Sequence, residues 1–192
     1  VMTSYDEEDY TGKNPVDHIK GAVEFRHVTY QYPEASEPVL KDFSLKAEPG
    51  ETIALVGESG AGKSTVLNML IGFMRPDSGE ILLDGENMRN LDFRSFRRHL
   101  AVVPQETILF SGTVRQNITY GSADVTEEEL WQVLKAANLD EVVKNLPQGL
   151  DTNLGEHGGR LSGGQRQAIT LLMAALKQPK LLLLDEHTAA LD

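Results

Sequence analysis

The stretch Gly57-Glu58-Ser59-Gly60-Ala61-Gly62-Lys63-Ser64-Thr65 stands directly behind the apolar run Thr52-Ile53-Ala54-Leu55-Val56. Four free positions separate Gly57 from Gly62, and Lys63 and Ser64 follow, which is the phosphate-loop spacing in a strand, tight loop, helix context. The residues from Thr65 to Ile71 predict a helix with Val66, Met69 and Leu70 on one face and Gly72 as its stop. Glycines at 57, 60 and 62 let successive backbone N–H groups turn inward around a polyanion, and the helix start adds partial positive charge. Lys63 can then reach terminal phosphates as a point charge, and Ser64 can offer its hydroxyl to Mg²⁺. A plainer reading, a glycine-rich turn before a core helix, is outweighed by Lys63-Ser64 standing in register behind a strand-like run.

A chain of 192 residues suits one domain, or a core with a small subdomain. Lys plus Arg total 18 against 29 Asp plus Glu, and the formal charge of −11 disfavours a broad nucleic-acid surface or a polybasic membrane anchor. It does not disfavour a nucleotide, because a local nest and a divalent cation hold phosphates inside an acidic protein. The absence of cysteine excludes disulfides and thiolate metal sites. No window approaches 18 apolar residues without charges, and no secretory apolar core is present, which favours a cytosolic position.

Residues 1–21 show little periodicity and carry Gly12, Pro15 and Gly21, so they read as an approach segment; the acidic Tyr5-Asp6-Glu7-Glu8-Asp9-Tyr10 reads as solvent-facing linker. Strands are expected over Val23 to Tyr30, Val39 to Leu45 and Glu80 to Asp84, an antiparallel β portion beside an α/β core. A short helix is expected from Phe93 to His99, its Arg94, Arg97 and Arg98 forming a solvated face. Leu100-Ala101-Val102-Val103 reads as a buried strand that delivers Gln105, past Pro104, at its carboxyl end. Residues 112–146 read as helical. Thr126 and Glu129 form a capping box, Val125 and Leu130 its hydrophobic staple, and Trp131 is a packing anchor on the stripe Leu130, Val133, Leu134 and Ala137.

The run Leu181-Leu182-Leu183-Leu184 suits a parallel strand covered on both faces, followed by paired acids. Asp185 is placed to bind Mg²⁺ or its water, and Glu186 to orient and polarise an attacking water. Leu161-Ser162-Gly163-Gly164-Gln165 is a second phosphate-binding candidate, with a hydroxyl on Ser162 and glycines that admit an anion close to the backbone. A helix is expected to open at Arg166 and Gln167. Taken alone, a Ser-Gly-Gly segment is also an ordinary loop. Two phosphate-facing glycine motifs in one chain raise the geometry in which two copies complete one another's sites head to tail.

Residues from about 22 to 192 resemble the nucleotide-binding domain of an ABC transporter, through Gly57 to Thr65, Gln105, Leu161 to Gln165, Leu184-Asp185-Glu186 and Ala189-Ala190-Leu191-Asp192. The resemblance implies an α/β fold: a P-loop NTPase core, an antiparallel β subdomain, and a helical subdomain at about 106–165 carrying the LSGGQ signature. It implies two such domains sandwiching two ATP molecules. It assigns Tyr32 to adenine stacking, Gln105 to sensing Mg²⁺ and nucleotide, Ser162, Gly163 and Gly164 to the partner's γ-phosphate, and Asp192 to communication across the dimer. Asp151 to Gly158 and Leu109 to Ile118 are similar to exporter segments, with Glu156 near the helices that transmit motion.

The family pattern then makes residues 1–21 the tail of a linker from a preceding membrane domain, and the chain an ATPase powering export at the cytoplasmic face. Lys63, Gln105 and Glu186 would be its catalytic residues, and Ser64, Gln105 and Asp185 its Mg²⁺ ligands. The chain departs from the pattern at Ala168 to Ala175, which lack the usual Arg, and at His187. The family's switch histidine lies on a further strand beyond Asp192, so the expected domain is incomplete at its C-terminus. Two alternatives remain: a module that binds nucleotide without turnover, and an ABC ATPase acting on DNA architecture or translation without a membrane partner.

Overall fold

Alternating side chains along residues 23–30 put Val23, Phe25 and Val28 on one buried face, and this pattern builds the first sheet. The computed structural model describes residues 11–120, 122, 125–155, 158–159 and 161–185. The chain divides into two compact units, residues 1–99 and 100–192.

In the first unit, β1 (Val23–Tyr30) lies between β2 (Leu40–Ala47) and β3 (Ser78–Leu83), with β4 (Glu86–Asn87) outside β3. Every pairing is antiparallel, Phe25 standing opposite Leu45 on one side and Ile81 on the other. The expected antiparallel portion is therefore present. Both ladders of β1 are interrupted near His27, whose φ of 50° brings its Nδ1 within 2.7 Å of the Asp42 carboxylate. Helix α1 (Lys63–Ile71) buries Val66, Met69 and Leu70, as expected. Gly72 ends it in the left-handed region at φ 87°, where a Cβ would meet the Phe93 ring at 2.3 Å. Helix α2 (Phe93–Phe96) is shorter than the sequence suggests. Of the basic residues expected on a solvated face, Arg94 and Arg98 are exposed, Arg94 pairing with Asp92, whereas the half-buried Arg97 lies over the rings of Phe73 and Phe93.

From residue 11 onward the approach segment is held by this unit. Asp84 accepts the backbone N–H groups of Lys20, Gly21 and Ala22 at 2.7, 3.1 and 2.9 Å, and Val16 and Ile19 are buried.

The run expected as a strand at 52–56 differs. Among the described residues it belongs to neither sheet, and Ile53 and Val56 are 38% and 90% exposed. An apolar run supplies hydrophobicity, but a strand exists only where a neighbour takes its N–H and C=O groups.

In the second unit, β5 (Leu100–Val103) and β6 (Leu181–Leu184) run parallel, Leu100 opposite Leu181 and Val103 opposite Leu184. Burial on both faces of β6 is not observed within the described residues: Leu183 is buried, whereas Leu182 and Leu184 are 46% and 48% exposed. A strand with one ladder partner and cover on one face leaves alternate side chains open.

Helices α3 (Val114–Ile118), α4 (Glu127–Ala136), α5 (Asp140–Lys144) and α6 (Gly163–Leu176) enclose a core that includes Val114, Ile118, Leu130, Leu134, Leu154 and Ile169. The capping box of Thr126 and Glu129 is present, and Val125 and Trp131 pack against that core.

Candidate functional site

The first unit holds the expected phosphate loop. Glu58 accepts the N–H of Ala61 through its carbonyl to close a turn, and Gly62 then caps α1 at φ 91°. A Cβ on Gly62 would stand 2.8 Å from Leu40 Cδ2, so conformation and packing both select glycine there. The Lys63 Nζ donates to the Gly57 and Glu58 carbonyls, each at 2.9 Å, so the loop is wrapped around its own ammonium. Lys63 and the exposed Ser64 thus share the first turn of α1, where helix N–H groups and a cation converge.

Tyr32 lies on a short loop of the same unit. Its hydroxyl is 2.9 Å from the Thr65 hydroxyl and 3.8 Å from Met74 Sδ, and its ring meets Tyr30 edge-on at 5.1 Å. Burial, with the neighbouring Tyr32 and Asp77 adding to it, pushes the Tyr30 phenol above its ordinary pKa, so Tyr30 stays neutral. Tyr32 itself is 36% exposed.

The second unit brings together Gln105 and Asp185. Each follows the carboxyl end of one of two adjacent parallel strands, and the Asp185 N–H donates to the Val103 carbonyl at 3.0 Å, extending the ladder by one bond. The side chain of Gln105 is exposed.

The signature segment is better ordered than a loop. Ser162 is the N-cap of α6, which begins at Gly163 rather than at Arg166. Its Oγ accepts from the Gln165 N–H at 3.2 Å, while Gln165 Oε1 accepts from the Ser162 N–H at 2.9 Å. This reciprocal box leaves Gly163 and Gly164 at the head of the helix, exposed, with nothing among the described residues closer than 4.0 Å to a Cβ built on either. Arg166 ties the turn from behind by donating to the Leu161 carbonyl at 2.7 Å.

Glu186, Glu156, His187 and Ala189 to Asp192 lie outside the described residues. Sequence reasoning named Gln165 within the signature but missed its capping role, although Ser162 and Gln165 already spell a capping box. It also missed Asn117, whose buried side chain accepts from the Phe110 N–H and donates to the Phe110 and Thr113 carbonyls at 2.7, 3.0 and 3.0 Å.

A family model described as ABC transporter matches residues 40–189. A Staphylococcus aureus protein, provisionally named a multidrug export ATP-binding/permease protein, is 44% identical across all 192 residues. The Bacillus subtilis protein YgaD, of the same provisional name, is 47% identical over 176 residues, 92% of the chain. The chain spans about a third of the length of these curated relatives, 33% and 30% respectively. Among solved structures, a bacterial Atm1-family ABC exporter with ATP bound is similar with a TM-score of 0.85 and 36% identity, over 93% of this chain and 31% of that one. Among the described residues no helix is long and apolar enough to cross a membrane. With a phosphate loop, the carboxyl ends of a parallel strand pair, a capped Ser-Gly-Gly turn and these matches in place, the chain belongs to the ABC transporter family, as an ATP-binding domain of the ATPase type.

Proposed function

We propose that this chain is the ATP-hydrolysing part of a membrane exporter, working as a head-to-tail pair at the cytoplasmic face with a membrane-spanning partner fused upstream. The observation that carries the paired arrangement is the bare head of α6. Glycine at helix positions costs about 1 kcal/mol relative to alanine, and at Gly163 and Gly164 neither a positive φ nor a packing neighbour among the described residues demands it. A surface approaching from outside accounts for the missing Cβ atoms, and the N–H groups there favour an anion.

In this reading Tyr32 stacks on adenine. The backbone N–H groups at Gly57, Gly60 and Gly62 and the Lys63 ammonium receive the phosphates, and Thr65 anchors the helix turn behind them. Ser162, Gly163 and Gly164 meet the γ-phosphate held by the partner. Glu186 orients water in line with the γ-phosphate that its own protomer's Lys63 receives, while Lys63 stabilises the charge that develops.

Ser64, Gln105 and Asp185 supply a hydroxyl, an amide oxygen and a carboxylate, the hard oxygen set that suits Mg²⁺. Among the described residues no cluster of His, Cys, Asp or Glu could hold a metal alone, which fits a cation delivered with the phosphates. When bound, Mg²⁺ would neutralise phosphate charge.

The test compares wild type with Glu186→Gln. The variant retains ATP binding by calorimetry, loses turnover, and accumulates as an ATP-dependent dimer in sedimentation. Unchanged hydrolysis removes Glu186 from this role; ATP-saturated protein that stays monomeric in both forms removes the paired arrangement.

A further inference from the structure

Tyr32 presents its ring to solvent from a loop that is tied at several points: Ala35 donates its N–H to the Tyr32 carbonyl at 2.9 Å, Gln31 donates its side-chain amide to the Ala35 carbonyl at 2.6 Å, and the Gln31 N–H reaches the Asp77 carboxylate at 2.8 Å. These bonds fix the backbone but not the ring, which could still swing about its side-chain torsions. The ring is stopped by the edge of Tyr30 and by its own hydroxyl, which meets Thr65 Oγ1 at 2.9 Å and Met74 Sδ at 3.8 Å.

Protons can be assigned along this row without conflict: Thr65 donates to Tyr32 Oη, and Tyr32 donates to the sulfur. Thr65 is 3% exposed and sits in α1 directly behind Lys63 and Ser64. The far end of the ring is therefore bonded to the same helical turn that carries the phosphate-binding ammonium and hydroxyl.

We propose that Thr65 is a positioning residue for the base, its hydroxyl locking the Tyr32 ring at a fixed offset from Lys63 and Ser64 so that base and phosphates are received by one preorganised unit. This rests on the reading of Tyr32 as the base platform. Locking the ring before the ligand arrives removes an ordering cost from binding. The effect belongs to ligands that have both a base and a phosphate chain; a bare polyphosphate does not feel it.

The experiment titrates the protein by calorimetry with ATP and with inorganic tripolyphosphate, in wild type and in Thr65→Val, Thr65→Ser, Tyr32→Phe, the Thr65→Val/Tyr32→Phe double variant and Tyr32→Ala. Loss of one hydrogen bond predicts ATP affinity about fivefold weaker in Thr65→Val and in Tyr32→Phe. Tripolyphosphate affinity should be unchanged, Thr65→Ser should behave as wild type, and the double variant should be no weaker than either single one. Retained tripolyphosphate binding also shows that the loop is folded in each variant. The proposal is overturned if Thr65→Val leaves ATP binding intact, if ATP and tripolyphosphate weaken together, or if the two single effects add. If Tyr32→Ala leaves the ratio of the two affinities at its wild-type value, the base does not stack there, and the platform reading fails together with the proposal.

Discussion

Ser162 and Gln165 cap one another across the first turn of α6, each side-chain oxygen accepting the other's backbone N–H. The glutamine of the signature thereby consumes the donor on Ser162, while the Ser162 O–H proton stays available to an incoming anion. Gln165→Ala breaks half the box and should lower stability by about 0.5–1 kcal/mol, within the range for lost caps. Gln165→Glu keeps an acceptor at the same place and should retain the stability. Urea denaturation of the two variants checks this; equal losses would mean that the cap contributes nothing and that glutamine is there for another reason.

Gly164 leads to the opposite balance of fold and function. A Cβ at that position meets nothing within 4 Å among the described residues, and its φ is not positive. Gly164→Ala should therefore melt at or slightly above the wild-type temperature, since alanine is the better helix residue. ATP binding by each protomer should persist, while in the proposed pairing the added methyl obstructs the surface that closes on the partner. ATP-dependent dimerisation by sedimentation, and turnover, should both fall by about tenfold or more, as an obstructed contact worth some 1.4 kcal/mol would require. A variant that dimerises normally would show the bare glycines to be incidental.

Several of these relationships were legible from the chain and others were not, for reasons that follow from range. The capping box at Thr126 and Glu129 spans three residues, and its local chemistry survives into the fold unchanged. The same holds for the Gly72 stop and for the alternation of β1. Thr52 to Val56 and Leu181 to Leu184 both read as buried strands, yet Val56 stands open and Leu182 and Leu184 face outward within the described residues, because apolar composition cannot specify which ladder partners and covering layers are present. The Tyr32 and Thr65 hydroxyls meet across 33 positions of sequence, and no local pattern announces such a pair. Gln105 and Asp185 were readable as strand-end residues, but only the parallel register of β5 and β6 puts them past the same end of one strand pair.

Asn117 is a buried amide with its oxygen and nitrogen both engaged by the Phe110–Thr113 backbone. It holds the turn that leads into α3 and leaves Phe110 free to stack on Tyr120 at 4.2 Å. Asn117→Ala would orphan the Phe110 N–H and leave a void, costing roughly 2–4 kcal/mol. The measurement is the denaturant midpoint, with tripolyphosphate affinity as a control for the phosphate loop. A loss below 1 kcal/mol, of the order of a single exposed hydrogen bond, would show that the turn holds itself.

Glu129 supplies a pH-dependent contribution to stability. The Thr126 backbone N–H, and after it the Thr126 hydroxyl, hold the Glu129 carboxyl below its ordinary pKa. A carboxylate lowered in the folded state stabilises it above the unfolded value, about 4.3 for glutamate, and that contribution disappears as pH falls through the lowered folded value. Glu129→Gln retains the capping geometry without the titration. Its denaturation midpoint should lie below wild type near neutral pH, and the gap should close on acidification below pH ~4. A gap that is constant with pH would assign the difference to geometry rather than charge.

Lys63 makes the last case, because its present bonds are ones a ligand must replace. Its ammonium donates to two neutral carbonyls of its own loop, Gly57 and Glu58, both at 2.9 Å. A cation is attracted more strongly by an anionic phosphate oxygen than by a neutral carbonyl, so in the proposed reading a polyphosphate should draw the lysine off the carbonyls. Lys63→Ala removes that partner. Since the bonds of the amine to Gly57 and Glu58 stay within the loop, the fold should keep its denaturation midpoint. Hydrogen bonds to charged groups contribute about 1.5–3 kcal/mol, so the affinities for ATP and for tripolyphosphate should fall together by about 10- to 150-fold. Lys63→Arg should not restore them, because a planar fork cannot replace a compact point charge inside a closed loop. Calorimetry with both ligands decides it: a loss confined to ATP would move Lys63 from the phosphates to the base, and no loss in either would separate the loop from nucleotide binding altogether.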